Sequence, residues 1–337
     1  MKNGTATSNA NASSCQERRY HRIMVVGSIQ IGISIPSTLK SHYWAAVFCT
    51  AAVALTSAAF ADDAFGPMAV PAAAQPFKLG PLQLIALRDA QFVMHNDGKT
   101  FGSAADVATV GNLLKASNLP DDRLTLSVNA LLVRAGKRVI LIDSGLGPAV
   151  HGALMASLGE AGVAPDEVTD VLITHSHFDH VGGLAGADGK LAFPKAVIRM
   201  STAEWAWMKS QPNAAALVKV IDGHVQTFTP GAPIAPGVTS VALNGHTPGH
   251  VGYEITSGKQ SLLDIGDMAH SWVISLKKPE WTMQFDNDKA TAMATRKATF
   301  ARLAKSHELV FAPHFPYPGV GRVVADGDAY TWVPEVP

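Results

Sequence analysis

Cysteine is almost absent from this sequence. The 337 residues include two, Cys15 and Cys49, and both lie within the first 61 residues. After residue 61 there is therefore no disulfide and no thiolate, so a metal there must be held by histidine and carboxylate side chains. The serine-nucleophile pattern GxSxG is absent as well. These absences favour chemistry that needs no cysteine or serine nucleophile.

Charge is also scarce, and the bulk of the chain has no basic excess. Only 16% of residues are charged, with 27 basic and 27 acidic side chains. Residues 1–61 hold five of the basic residues and one acidic residue, which leaves 22 basic and 26 acidic residues in the remainder. A net charge near −4 argues against a nucleic-acid partner, because phosphate binding depends on clustered lysine and arginine.

The first 61 residues have the layout of an export signal. An apolar run follows Lys40 and ends in the small residues Ala59-Phe60-Ala61. This pattern predicts a signal peptide cleaved after Ala61, a secreted or periplasmic protein, and no stable membrane association after processing. The alternative is a retained membrane anchor over residues 43–61. We therefore divide the chain into a leader (1–61), a Pro/Ala-rich N-terminal segment (62–76) and one folded domain (77–337).

Apolar runs typical of strands alternate with helix-like segments from residue 77 to the end. Strands are predicted over 83–88, 124–134, 138–143, 170–174, 195–200, 238–243, 260–266 and 307–313. Helices are predicted over 148–162, 202–208 and 288–306. Such interleaving indicates a layered α/β domain.

Histidine and aspartate are concentrated in "THSHFDH", which directly follows a predicted strand. His175 and His177 are two positions apart and face the same side of an extended segment, while Asp179 and His180 follow at a turn. Further metal-ligand residue types stand just past other apolar runs, namely Asp143, His246, Asp267 and His314. Loops at one edge of a sheet can assemble a site from distant parts of the chain, so we expect a metal centre there.

The motifs "LIDSG", "THSHFDH", "GHTPGH", "DIGD" and "APHFPYPG" resemble, in order and spacing, the metal motifs of the metallo-β-lactamase-fold hydrolases. The "HFPYPGVGRV" and "RMSTAEWAWM" segments are most similar to the branch that contains methyl parathion hydrolase and the acyl-homoserine lactonases. The resemblance implies a four-layer αββα sandwich with the metal site at one edge of the sheets. It also implies a homodimer.

Carried over to this sequence, the resemblance implies two Zn²⁺ ions per chain, although Mn, Co or Fe are also possible. One ion would be held by His175, His177 and His246. The other would be held by Asp179, His180 and His314. Asp267 would bridge the two ions. Two further residues, Asp143 and His250, would support the ligand loops from behind.

Asp179 and His270 are the predicted catalytic residues. His270 stands where lactonases of this fold carry a tyrosine, and its imidazole can donate a hydrogen bond or a proton. No cysteine stands at the Asp267 position, as it would in the best-known β-lactamases, and no glutamate at the His177 position, as in the di-iron redox members. Aromatic residues near the ligands are predicted to line a substrate pocket: Trp272, Trp281 and Phe315.

The resemblance and the ligand types together predict a metal-dependent hydrolase. A hydroxide that bridges two metals would attack a small neutral phosphotriester, lactone or ester. Two other activities stay open, a hydrolytic dehalogenase of an activated chloroaromatic and a mononuclear iron sulfur dioxygenase of the same fold. A non-catalytic zinc-stabilised binding protein is a third possibility.

Overall fold

A computed structural model of the chain describes residues 65–102 and 105–335. The leader predicted over residues 1–61, with its cleavage after Ala61, lies outside the described residues. Two sheets of seven strands each form the framework.

The first sheet contains its strands in chain order, antiparallel from the first to the fourth and parallel from the fourth to the seventh. They are β1 (Gly66–Leu79), β2 (Leu82–His95), β3 (Arg123–Ala135), β4 (Arg138–Ile142), β5 (Asp170–Leu172), β6 (Val197–Ser201) and β7 (Val225–Phe228).

The second sheet takes the remaining strands, again with chain neighbours side by side. They are β8 (Pro233–Ala235), β9 (Val238–Ala242), β10 (Val251–Ser257), β11 (Gln260–Asp264), β12 (Leu309–Phe311), β13 (Val320–Asp326) and β14 (Ala329–Pro334). All pairs are antiparallel except β11 and β12, which run parallel.

Helices cover the outer faces of both sheets. They are α1 (Val107–Ala116), α2 (Leu154–Glu160), α3 (Phe178–Val181), α4 (Thr202–Ser210), α5 (Ala215–Ile221), α6 (Ile274–Lys277) and α7 (Lys289–Ser306). Side chains of α2 to α5 pack on the first sheet, and those of α6 and α7 pack on the second. The predicted αββα sandwich is confirmed.

Within the described ranges, no helix has the length and hydrophobicity of a membrane span.

Strand β3 shows that the first sheet is buried on both faces. Leu131 and Val133 point into the core between the sheets, whereas Ala130 and Leu132 point into the core beneath the helices. All four are at most 1% exposed. Since successive side chains of a strand alternate between faces, a strand covered on both sides has to be apolar at every position.

The Pro/Ala-rich segment is part of the first sheet. Residues 66–76, predicted to precede the domain, form most of β1 and pair with β2. Proline is tolerated because β1 is an edge strand, and the register with β2 shifts between Ala69 and Ala73, around Pro71. Proline and alanine weaken the sequence signal of a strand, so tertiary pairing decides this element.

The helix predicted over 148–162 is shorter than expected. A single 3₁₀ turn covers Pro148–Val150, and α2 begins only at Leu154. His151 has a φ of +62°, in the left-handed region that interrupts a right-handed helix. The buried Asp89 carboxylate accepts hydrogen bonds from the backbone N–H groups of Leu146 and Leu154, and so fixes this loop to β2.

Several strands end at the same edge of the molecule. In the first sheet β4 and β5 are parallel, so Asp143 and His175 follow neighbouring strand ends. In the second sheet β9 and β11 both run antiparallel to β10, and β12 runs parallel to β11. The loops that carry His246, Asp267 and His314 therefore also share one edge.

Leu132→Ala should destabilise the fold strongly. The side chain is 0% exposed in the core beneath the helices, and removing it leaves a cavity that costs about 2 to 5 kcal/mol. Chemical denaturation measures the free energy of unfolding. The matched control is Val333→Ala, because Val333 is 44% exposed and should change stability by about 0.5 kcal/mol at most. Equal losses in both variants would contradict this view of the core.

Candidate metal centre

Four side chains converge on one point at the common strand edge. His175 Nε2 lies 3.0 Å from His177 Nδ1, and His246 Nε2 lies 2.8 Å from the same His177 atom. Asp267 Oδ2 lies 3.5 Å from His175 Nε2 and 3.3 Å from His246 Nε2. Three imidazole nitrogens and one carboxylate oxygen form a donor set suited to zinc. We call this set site A.

A second donor set uses the other oxygen of the same aspartate. Asp267 Oδ1 lies 3.1 Å from His180 Nε2 and 3.0 Å from His314 Nε2. Asp179 Oδ2 lies 3.6 Å from His180 Nε2 and 3.5 Å from His314 Nε2. We call this set site B. Asp267 therefore faces both sites, one oxygen to each.

Hydrogen bonds fix the orientation of the imidazoles behind these sites. His180 Nδ1 donates to Asp143 at 2.7 Å, and His314 Nδ1 donates to the Ser127 carbonyl oxygen at 2.7 Å. His246 Nδ1 donates to Asp286 at 3.1 Å. Once Nδ1 carries the proton, Nε2 presents a lone pair to the site, which is the form in which a neutral histidine binds metal.

Besides orienting His180, Asp143 also holds Thr174, at the start of the loop that carries His175 and His177. Its two oxygens accept from the backbone N–H and the hydroxyl of Thr174, both at 2.8 Å. Because the Thr174 hydroxyl donates to Asp143, it accepts from His175 Nδ1 at 3.1 Å. His175 Nε2 is then also unprotonated toward site A.

His250 supports Asp267 from behind and lies outside both donor sets. Its Nδ1 donates to the Leu243 carbonyl oxygen at 2.7 Å, and its Nε2 accepts the backbone N–H of Asp267 at 3.0 Å. Burial and the neighbouring His246 lower the pKa of His250 to about 3, so it stays neutral. A neutral His250 is what this pair of hydrogen bonds requires.

The buried donors fit a divalent metal pair. Among the described residues, His180 Nε2 and Asp267 Oδ1 are buried atoms without a hydrogen-bond partner. Burial raises the pKa of Asp267, but the charges of His314 and His180 outweigh it and hold that pKa well below its usual value. The cluster thus holds Asp267 as an ionised carboxylate surrounded by positive charge. Bound metal cations would supply such a charge. Metal binding would displace protons from the histidines, so metal affinity should fall at low pH.

Two buried residues of this network are not evident from sequence patterns. Asp286 accepts from His246 with one oxygen, and its other oxygen lies 3.2 Å from an Nη atom of Arg296 in α7. Arg296, 1% exposed, also donates to the Met268 carbonyl oxygen, one residue after Asp267. The sequence does carry one signal for the burial of Arg296, which is its position in the helix. Arg296 lies four residues from both Ala292 and Phe300, on the buried face of α7.

His270 lies against the Asp267 carboxylate. Its Nε2 is 3.0 Å from Asp267 Oδ2, and its ring stacks on that of His314 with centroids 5.3 Å apart. The other ring nitrogen, Nδ1, is buried without a hydrogen-bond partner in the described part of the chain. Burial lowers the pKa of His270, which favours the neutral imidazole. Within the described residues, His270 therefore has one ring nitrogen, Nδ1, that makes no hydrogen bond.

The three predicted pocket aromatics do not share one pocket. Phe315 is 0% exposed and packs edge-on against Trp332 in the outer core of the second sheet, so it belongs to the core. Trp272 lines a separate cavity of about 370 Å³ together with Tyr317. Trp281 packs with Phe101, whose ring centroid is 6.3 Å from that of His270. Trp281 thus packs in the hydrophobic cluster whose Phe101 contacts His270.

The cleft beside His177 of site A is lined by residues other than Trp272, Trp281 and Phe315. A cavity of about 740 Å³ opens beside His177 and is bounded by Phe178, Trp207 and Leu217. The Trp207 ring lies 5.7 Å from that of His177, and Phe178 is 51% exposed. The described residues that line this cleft include no lysine, arginine, aspartate or glutamate. Phe178 and Trp207 are therefore pocket candidates beside the three aromatic residues that the sequence favoured.

Gly182 and Gly183 allow close packing. Gly182 has a φ of −59°, which any residue adopts. A Cβ atom on Gly183 would collide with the Ser144 carbonyl oxygen, and one on Gly182 with that of Leu146. The absence of side chains lets the segment that follows His180 pack against the loop after β4.

Comparison with known proteins identifies the class. The model of the metallo-beta-lactamase superfamily matches residues 123–314, more than half of the chain. The chain therefore belongs to this superfamily, and the predicted family is confirmed.

Curated relatives share only part of their length with this chain. Metallo-beta-lactamase domain-containing protein 1 of Mus musculus is 43% identical over 70 residues, 21% of this chain and 24% of that protein. A probable metallo-hydrolase of Mycobacterium tuberculosis is 25% identical over 183 residues, 43% of this chain and 57% of the relative.

Solved structures match over nearly their full length. AidC, a dizinc quorum-quenching lactonase in complex with a product, superposes with a TM-score of 0.75 at 28% identity, over 78% of this chain and 98% of that chain. The hydrolase AbOPH of the beta lactamase superfamily gives a TM-score of 0.72 at 29% identity, over 79% and 98%. These findings support the prediction of a metal-dependent hydrolase of this superfamily.

Gly183→Ala should weaken both the fold and the centre. The added methyl group has to displace the Ser144 carbonyl oxygen, at a cost of about 1 to 3 kcal/mol. Thermal unfolding and the zinc content after dialysis measure the two effects. The control is Gly159→Ala in α2, where a Cβ meets no atom within 4 Å and alanine should be neutral or stabilising. The interpretation fails if the two variants behave alike.

Proposed function

We propose that this protein is a binuclear zinc hydrolase that acts on a small neutral ester, lactone or phosphotriester. The observation that carries the proposal is the Asp267 carboxylate, which points one oxygen to each of two donor sets. In this proposal site A and site B each hold one Zn²⁺, and Asp267 bridges them. Export with cleavage after Ala61 and a homodimer are further parts of the proposal.

The metals supply the chemistry that the side chains lack. When bound, two Zn²⁺ ions would supply an acidified water as nucleophile and a Lewis acid for the substrate oxygen. The chain itself contributes fixed ligands, because the Nδ1 atoms of His180, His246 and His314 are each held by a hydrogen bond. Preorganised ligands avoid reorganisation during the reaction.

Asp179 and His270 are proposed to handle protons beside the substrate. Asp179 is 17% exposed, whereas Asp267 is 4% exposed, so Asp179 is the carboxylate of the centre with more access to a bound substrate. His270 contacts Asp267 through Nε2 and keeps Nδ1 free of hydrogen bonds within the described residues. In the neutral imidazole Nε2 carries the proton toward Asp267 and Nδ1 can only accept, so His270 can hold a proton beside the centre.

The lining of the cleft favours a neutral substrate with an apolar part. Its walls carry no charged side chain among the described residues, and Phe178 and Trp207 stand beside His177. On the other side of the centre, Phe285 is 42% exposed and lies 6.3 Å from the His270 ring. Apolar walls with few polar groups are typical of sites for small organic molecules. The likeness to a dizinc quorum-quenching lactonase supports a lactone as the first substrate to test.

His177→Ala should remove most of the activity. It deletes one of three imidazoles of site A, and the loss of kcat/KM should exceed about 100-fold. Metal content by mass spectrometry and turnover of aryl esters, acyl-homoserine lactones, phosphotriesters and chloroaromatics measure both effects. His224→Ala, at an exposed histidine, is the control. A wild-type protein that binds no metal, or that keeps full activity after chelation, would overturn the proposal.

Phe178→Ala should impair substrates with longer apolar groups selectively. The exposed ring borders the cleft beside His177, and losing its contact should raise KM by about 10-fold or more for a long acyl chain, with little change for a short one. Steady-state kinetics over a series of chain lengths measure this. Val107→Ala, at another exposed apolar residue (50% exposed), is the control. A uniform fall in kcat for all chain lengths would argue against this substrate position.

A further inference from the structure

A buried glutamate lies behind site A and belongs to neither donor set. Glu204, in the first turn of α4, is 0% exposed. Its Oε1 accepts from the backbone N–H and the hydroxyl of Ser176, at 2.8 and 2.7 Å. Its Oε2 accepts from the Thr247 hydroxyl at 2.6 Å and from the Gly249 backbone N–H at 3.1 Å. The carboxylate thus has four donors, all from two loops.

These two loops carry the histidines of site A. Ser176 lies between His175 and His177, and Thr247 directly follows His246. One carboxylate therefore joins the loop after β5 in the first sheet to the loop after β9 in the second.

The loop after β9 packs closely against the start of α4. A Cβ atom on Gly249 would collide with the Glu204 backbone nitrogen, so only glycine permits this approach. The Ser201 hydroxyl, at the N-cap of α4, donates to the Gly249 carbonyl oxygen at 2.7 Å.

The charge of Glu204 has no cationic side chain beside it. Within the described residues, Glu204 takes part in no ion pair, whereas the buried Asp286 is paired with Arg296 at 3.2 Å. Hydrogen bonds and the N-terminus of α4 stabilise the carboxylate in part. A buried charge nevertheless favours a counter-ion nearby, and the donor set that its own loops carry is the place where a dication would bind.

We propose that Glu204 is a positioning residue that holds both ligand loops of site A in register, and that its negative charge raises the affinity of site A for a divalent cation. This inference rests on the proposed binuclear function. It assigns Glu204 a task that needs no contact with substrate. Site A should respond more strongly to its loss than site B, because Glu204 bonds to Ser176 and Thr247, which directly adjoin the three histidines of site A.

Glu204→Gln tests the inference, because it keeps the size of the side chain and removes the charge. Competition between the zinc-loaded protein and a chromophoric chelator measures the affinity of each of the two Zn²⁺ ions. One ion should bind about 10-fold to 100-fold more weakly than in the wild type, and the other should be weakened by a clearly smaller factor. The matched control is Glu308→Gln, a buried glutamate paired with Arg302 at the opposite end of β12 from His314, which should leave both affinities unchanged.

Thermal unfolding with and without zinc distinguishes an electrostatic role of Glu204 from a purely structural one. The metal-free Glu204→Gln variant should unfold somewhat below the wild-type temperature, because its amide NH2 group faces hydrogen-bond donors. Its gain in unfolding temperature on zinc loading should also be smaller than that of the wild type. An equal loss with and without zinc, or unchanged affinity for both ions, would overturn the inference.

Two further results keep the test decisive. If Glu204→Gln does not fold, Ser176→Ala removes only one of the four hydrogen bonds and should weaken the same ion by a smaller factor; an unchanged affinity there would overturn the inference. A wild-type protein that binds no Zn²⁺ would refute the proposed function. A wild-type protein that binds two ions, beside a Glu204→Gln variant that binds both equally tightly, would refute this inference alone.

Discussion

The Asp267 carboxylate is the interaction on which the rest of this centre depends. It is buried, it faces five imidazoles, and it directs one oxygen to each donor set. A buried carboxylate is costly unless it is paired with positive charge. Its backbone is itself fixed, since His250 accepts the Asp267 N–H while donating to the Leu243 carbonyl oxygen. The strand ends of both sheets therefore meet around one negative charge.

A layer of carboxylates behind the ligands keeps the imidazoles in place. Asp143 orients His180 and the Thr174 turn, and Asp286 orients His246. Glu204 joins the loop that carries His175 and His177 to the loop that carries His246. Each of these acidic groups is buried with several hydrogen bonds, so it has little freedom to move. Fixed donors define the positions at which metals can bind, and the chemistry of a metal-dependent hydrolase depends on those positions.

The architecture and the ligands define the class of this protein, whereas the neighbouring cleft governs its substrate. Folds of this kind host many reactions, because activity depends on the groups placed around the site. Here those groups are aromatic and uncharged on the His177 side, with Phe178 and Trp207, and again aromatic at Phe285 on the His270 side. The proposed small neutral substrate follows from these walls, while the family membership follows from the fold.

The sequence by itself determined what depends on local order along the chain. The alternating apolar runs predicted most strands, and the crowding of His175, His177, Asp179 and His180 after a strand predicted a metal centre, because these residues are neighbours in the chain. Tertiary structure alone decided the rest. Asp286, Arg296 and Glu204 act on partners 28 to 45 residues away, and no spacing rule reaches that far. Phe315 is adjacent to His314 in sequence but turns into the core, and the Pro/Ala-rich β1 forms a strand only because β2 offers it an edge. Contacts between distant segments depend on how the two sheets pack, which a local pattern does not encode.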